Sequence, residues 1–145
     1  MSRYPFVTSF EVRDYECDLQ GIVNNAVYQH YLEHARHLCL KPFGLSFAEL
    51  AKAGVRLVVV RAELDYKAPL RSGDAFVVGS RVERRSPVRF VFLQEIARVD
   101  KGRETLAVKA VITCAATDAR GKPIVATAIE PLFARRPDAQ AKGRR

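Results

Sequence analysis

RDYECDLQGIVNNAVYQHYLEHAR, residues 13–36, changes its periodicity part-way along. Upstream, Phe6, Thr8, Phe10 and Val12 alternate with Val7, Ser9, Glu11 and Arg13, the period of a half-buried strand. From Asn24 the pattern lengthens. Val27, Tyr28, Tyr31, Leu32, Ala35, Leu38 and Cys39 fall on one broad helical face, with Asn25, Gln29, Glu33 and Arg36 opposite. A helix with so wide an apolar face must bury it, and the strands that follow make a sheet the available partner.

Between strand and helix lies an acidic loop. Asp18 precedes Gly21 by three residues, and Gly21-Ile22-Val23-Asn24-Asn25 can turn the chain into a helix whose first N–H groups have no intrahelical partner. Such a helix start favours developing negative charge. A carboxylate beside free N–H groups suits hydrolysis of an activated acyl group: the N–H groups polarise the carbonyl, and the carboxylate attacks it or takes a proton from water. The simpler alternative is that Asp18 caps the helix and Gly21 permits the turn.

Lys41-Pro42-Phe43-Gly44 stops the helix, and Ser46 with Glu49 starts a short second one ending near Lys52. Strands follow. In Arg56–Lys67 the residues Val58, Val60, Ala62, Leu64 and Tyr66 alternate with Arg61, Glu63, Asp65 and Lys67. Further strands run over 75–83, 88–99 and 104–116, joined at Arg84-Arg85-Ser86-Pro87 and at a hairpin turn, Asp100-Lys101-Gly102. The last two are apolar on both sides in places, which points to an interface. One strand, one long helix and at least four antiparallel strands make an α+β layout.

With 145 residues, 48% of them hydrophobic, the chain has material for one core. No apolar run reaches the length of a membrane span, and no secretory leader stands out, so a cytoplasmic protein that does not enter membranes is expected. Half of the net charge of +8 lies in the last twelve residues, expected to be a disordered tail. The modestly basic remainder suits an anionic carrier better than nucleic acid, for which no recognition motif is present. Cys17, Cys39 and Cys114 form neither a disulfide framework nor a zinc motif. Cys17 as nucleophile would lack an orienting group. His30, His34 and His37 share an arc of the helix, and a polar helix edge is the expected reading over a metal site.

Asp18-x-x-Gly21-Ile22-Val23, followed by Tyr28, Tyr31, Glu33 and Arg36, resembles the signature of hotdog-fold thioesterases of the 4-hydroxybenzoyl-CoA thioesterase type. RDYECDLQGIVNNAVY together with PLRSGDAFVV at Pro69–Val78 is similar to the plant plastid acyl-lipid thioesterases and their bacterial relatives. The likeness runs from about Ser9 to Phe133. It implies a hotdog fold over residues 1–133, with a long central helix packed against a curved antiparallel sheet of about five strands, and 134–145 as tail. The implied activity is hydrolysis of an acyl-CoA or acyl carrier protein thioester to a free acid and a thiol, without metal or cofactor. A fatty acyl or β-ketoacyl group is the foremost substrate. An aromatic acyl-CoA such as 1,4-dihydroxy-2-naphthoyl-CoA and a non-catalytic acyl-CoA binding module are the alternatives. A hydratase on this fold would need a histidine paired with Asp18, and the loop has none.

By the resemblance, Asp18 is the catalytic carboxylate, as nucleophile or general base. Asn25 takes the position whose backbone N–H polarises the thioester carbonyl. Some relatives carry histidine there, and Asn25 cannot shuttle a proton. Glu33 is implied to have an active-site role, with Gly21, Val23 and Tyr28 beside the substrate. Arg84, Arg85 and Ser86 match a turn that binds the carrier's phosphates. Members of the family pair into homodimers, often homotetramers, with sites between subunits.

Overall fold

The computed structural model describes residues 1–137, so most of the expected tail lies outside the described residues. Strand β1 (Phe6–Glu11) leads through a loop to helix α1 (Val27–Leu40), followed by α2 (Phe47–Lys52). Strands β2 (Arg56–Tyr66), β3 (Ala75–Arg84), β4 (Arg89–Asp100) and β5 (Arg103–Thr117) come next, and a short helix α3 (Glu130–Ala134) ends the described chain. The sheet is antiparallel throughout, in the order β1-β3-β4-β5-β2. One long helix lies across it, the hotdog arrangement that the resemblance implies.

The helix ends are set as their residues suggest. Asn24 Oδ1 accepts the Ala26 N–H at 3.0 Å just before α1. Beyond Leu40 a tight turn ends at Gly44, whose φ of 68° lies in the left-handed region that glycine enters without steric cost. Ser46 Oγ accepts the Glu49 N–H at 3.1 Å, capping α2.

The core forms between α1 and one face of the sheet. Tyr28, Tyr31, Leu32, Ala35, Cys39 and Leu40 are buried on the helix. Cross-strand pairs on the facing side are Val78 with Ile96, Val82 with Phe92, and Ile112 with Phe92. A polar bridge crosses this layer: Gln94 Nε2 donates to the Leu32 carbonyl at 3.1 Å and to Ser80 Oγ at 2.9 Å. The outer face is partly covered by the first residues of the chain, where Arg3 pairs with Glu95 and Tyr4 packs onto Gly79. There a Cβ on residue 79 would come within 2.6 Å of Tyr4 Cγ, so glycine is required for the close approach.

Two sequence expectations change. Arg36, placed on the polar side of the helix, is buried at 8% exposure. In β2 a bulge between Val59 and Arg61 breaks the alternation. Its register puts Leu57 and Val59 on the same side as Ala62, Leu64 and Tyr66, while Val58 joins Arg61, Glu63 and Asp65. Among the described residues no strand pairs with the outer edge of β2, where Val58, Val59 and Val60 are at 39%, 50% and 47% exposure. No helix among the described residues is long and apolar enough to cross a membrane.

Leu32 is fully buried beneath the helix. Leu32→Ala is expected to cost about 2–5 kcal/mol of unfolding free energy, read from the urea midpoint at unchanged slope.

Candidate active site

The loop from β1 to α1 is pinned by main-chain bonds to the segment before β3. Val12 N–H donates to the Asp74 carbonyl at 2.9 Å, and Val23 N–H to the Leu70 carbonyl at 2.8 Å. Ile22 forms a bridge to Arg71. Within the loop, Asp18 N–H donates to the Ile22 carbonyl at 2.8 Å and Gly21 N–H to the Asp18 carbonyl at 3.0 Å, closing a tight turn. Gly21, at φ 77°, supplies the left-handed residue this turn requires. Asp18 does not cap α1. Its Oδ1 accepts the Gln20 N–H at 2.8 Å, which fixes the carboxylate at the loop surface, and α1 starts after Ala26 with no side-chain cap.

Asp18 borders a cavity of about 370 Å³ with Val23, Asn25, Tyr28, Tyr66 and Lys67 on its walls. Asn25 precedes α1 by two residues. Its carbonyl accepts the Tyr66 hydroxyl at 3.1 Å. Its backbone N–H makes no hydrogen bond among the described residues. Asp18 and Asn25 thus line one cavity. Tyr28 forms the inner wall: its hydroxyl accepts the buried Leu70 N–H at 3.1 Å, and its ring meets Tyr66 edge-on at 5.6 Å. Burial raises the pKa of Tyr28 above its ordinary value, so its phenol stays protonated at neutral pH.

Sequence reasoning did not single out Tyr66 and Lys67 as site residues. An aromatic and a cation at a strand end just before Pro69 were the available signal. A larger open groove of about 960 Å³ runs along β1 on the other flank of α1, lined among others by Phe10, Tyr31, His30 and His34, but Asp18 is not part of it.

Other expected residues lie elsewhere. Glu33 is exposed, sits 3.8 Å from His37, and borders a separate cleft one turn further along α1. Arg84 and Arg85 lie at the far end of β3, a ten-residue strand of roughly 30 Å, from the end that holds the Asp18 loop. Arg84 pairs with Glu130, donates to the Pro87 carbonyl at 3.0 Å and stacks on Phe133 at 4.7 Å. Arg85 pairs with Glu83 at 2.9 Å. Ser86 Oγ accepts the Arg89 N–H at 3.1 Å. Within one protomer the fold does not bring this turn to Asp18. The three histidines also separate: His37 packs on Phe47 at 4.5 Å, while His30 and His34 face the groove along β1.

Residues 12–141 match the model of the thioesterase-like superfamily. The chain belongs to this superfamily. Within the superfamily it is 39% identical over 101 residues to the chloroplastic acyl-acyl carrier protein thioesterase ATL3 of Arabidopsis thaliana, covering 70% of this chain and 53% of that protein. The chain therefore spans about half the length of this plant relative. Among solved structures, a hypothetical protein of Thermus thermophilus is similar at a TM-score of 0.79 and 28% identity, covering 90% of this chain and 98% of that one. A 1,4-dihydroxy-2-naphthoyl-CoA thioesterase from Synechocystis shares the fold at a TM-score of 0.81 and 20% identity, with 89% and 95% covered.

Thiol reactivity tests the burial around the helix. Cys17 is half-buried, whereas Cys39 and Cys114 are buried, which pushes their pKa values from 9.0 up to about 12 and about 11. Near pH 8 iodoacetamide is expected to label the native chain once, at Cys17, and the unfolded chain at all three cysteines, as counted by mass spectrometry. Because burial raises these two pKa values, their contribution to folding stability is full below the unfolded thiol value of 9.0 and is lost as pH rises toward 12.

Proposed function

We propose that the protein hydrolyses acyl thioesters at the cavity bordered by Asp18. The observation that carries this reading is the cavity lined by both Asp18, whose carboxylate is held by the Gln20 N–H, and Asn25, with the Tyr28 and Tyr66 rings on its wall. The Asn25 N–H donates to the thioester oxygen, and this bond strengthens as the carbonyl becomes an oxyanion. Asp18 supplies the electron pair, either by attacking the acyl carbon to give a mixed anhydride, which water then cleaves to the free acid and the carboxylate, or by taking a proton from the attacking water. Collapse of the tetrahedral intermediate expels the thiolate, which leaves as the thiol once protonated. Asn25 has no titrating side chain, so the acid–base work falls on Asp18. Gly21 holds the loop turn, while Val23 and Tyr28 form the wall against which the acyl group lies.

The acyl group is a fatty acyl or β-ketoacyl chain carried on coenzyme A or on an acyl carrier protein. The likeness to the chloroplastic acyl-acyl carrier protein thioesterase of Arabidopsis thaliana supports this reading. The Tyr28 and Tyr66 rings would also accommodate a flat aromatic acyl group, the substrate named for the Synechocystis neighbour. We read residues 1–133 as the unit that carries the activity.

Two copies pair along β2 in this reading. Among the described residues the edge is free, and it carries three exposed valines, the condition under which an antiparallel two-fold pairing satisfies main-chain groups and buries apolar surface. A two-fold axis normal to the sheet reverses the strand ends. It would carry the partner's Arg84–Ser86 turn to the end of the sheet that holds Asp18, within reach of a phosphate-bearing carrier. Glu33 then has a place near the subunit boundary, beside the cleft under β2.

Thiol release from acyl-CoAs of several lengths, the matching acyl carrier protein adducts and aromatic CoAs tests the chemistry. One class should turn over, and Asp18→Asn should lower its kcat by about 100-fold or more. Equal, slow release by both proteins with retained acyl-CoA binding would replace hydrolysis by simple binding. For the pairing, sedimentation should show a dimer or larger assembly, and a Val58→Lys, Val60→Lys double variant should sediment as a monomer with raised KM. A folded monomer with unchanged KM would remove the partner's turn from the site.

A further inference from the structure

Arg36 is a buried cation that, among the described residues, has no anion in hydrogen-bonding contact. At 8% exposure its guanidinium makes one hydrogen bond, from Nη1 to Gln94 Oε1 at 3.1 Å, and lies over the Phe92 ring at 5.9 Å. A guanidinium carries five N–H donors, so most of its capacity is unused. Among the described residues it forms no salt bridge. Glu33, three residues earlier on the helix, acts on the guanidinium only through its field, and its closest cation is His37 at 3.8 Å. The neighbouring thiols of Cys39 and Cys114 stay neutral, because burial raises their pKa values to about 12 and about 11. Burying a guanidinium with most of its donors unpaired is costly, and an anion that takes the spare donors would offset that cost.

The guanidinium borders a cleft of about 320 Å³ between α1 and the β2 edge of the sheet, whose apolar wall includes Phe47, Leu57, Val59 and Ile112. This cleft shares no lining residue with the cavity at Asp18. Its volume lies at the lower end of the range for small-molecule pockets. We propose that the cleft binds an apolar chain ending in a carboxylate, the carboxylate seated on the free N–H donors of Arg36 and the chain on Phe47, Leu57, Val59 and Ile112. Guanidinium and carboxylate match in plane and spacing, so two parallel charge-assisted bonds can form where one neutral partner is now present. Glu33 at the cleft mouth would repel the ligand, and its position beside His37 reduces that repulsion. The proposal does not depend on hydrolysis at Asp18.

Calorimetric titration of the full chain with octanoate and with 1-octanol tests it. Octanoate should bind about tenfold or more tightly than octanol, since only the carboxylate can form charge-assisted bonds to the guanidinium. Arg36→Met should remove that preference. Because this variant alters a buried residue, Ala62→Trp serves as the second one: it fills the cleft from the exposed strand β2, leaves Arg36 in place, and should abolish octanoate binding. Asp18→Asn should leave octanoate affinity unchanged. Equal affinity for acid and alcohol, absence of binding, a preference that survives Arg36→Met, or loss of octanoate binding in Asp18→Asn would each overturn the proposal. A carboxylate at the far end of an acyl group presents the same chemistry as a free acid. Competition with octanoate by the half-thioester of octanedioic acid in the native protein, absent in Arg36→Met, assigns the acyl source, and failure to compete assigns the free acid.

Discussion

Everything in this molecule depends on one apolar contact, the face of α1 pressed on the inner face of the sheet. Tyr28, Tyr31, Leu32, Ala35 and Cys39 supply the helix side, and the large side chains of β3, β4 and β5 supply the other. A surface that wide cannot be left in water, since each fully buried large apolar side chain contributes on the order of 1.5–3 kcal/mol. Once the helix is held there, its start is held too, and with it the loop that carries Asp18. The candidate site thus borrows its rigidity from the core, and only a few local bonds are needed to aim its groups.

Polar groups inside that contact set its register. Gln94 reaches across the layer to a helix carbonyl, to Ser80 and to Arg36. An apolar layer alone tolerates sliding, because hydrophobic contact has little directional preference. A side-chain amide satisfied on three sides does not tolerate it: a shift of one helical turn would leave its donors and acceptors unpaired in a dry interior.

The fold was legible because its main signals are periodic. The alternation in β1, the broad helical stripe of α1 and the Lys101-Gly102 turn, with both residues at positive φ, needed nothing beyond local chemistry. The bulge at Val60 was not legible. It inserts one residue into a run of valines, and nothing in Val58-Val59-Val60 tells which of them is extra. Arg36 was misplaced because a charged residue is read as solvent-facing by default, whereas its burial depends on Gln94, fifty-eight residues away. In the site, Asp18, Gly21 and Asn25 sat close enough in sequence to be read together. Tyr66 and Lys67 reach the cavity only through the pairing of β2 with the rest of the sheet, and the distance of Arg84 from Asp18 follows from strand direction, which residue patterns do not reveal.

Strand order also differs from chain order. β1 lies beside β3, with α1, α2 and β2 made in between, and the Asp18 loop is tied down by Leu70, Arg71 and Asp74. On a chain made from its N-terminus, the loop and the helix emerge long before the residues that hold them. The long apolar stripe of α1 waits for a sheet that does not yet exist, and the carboxylate has no fixed direction until the segment before β3 has appeared. Folding is therefore governed by non-local closure, which is slow for its size. The nascent chain passes through a stage in which the apolar face of its longest helix is exposed, and protection from wrong partners matters most at that stage.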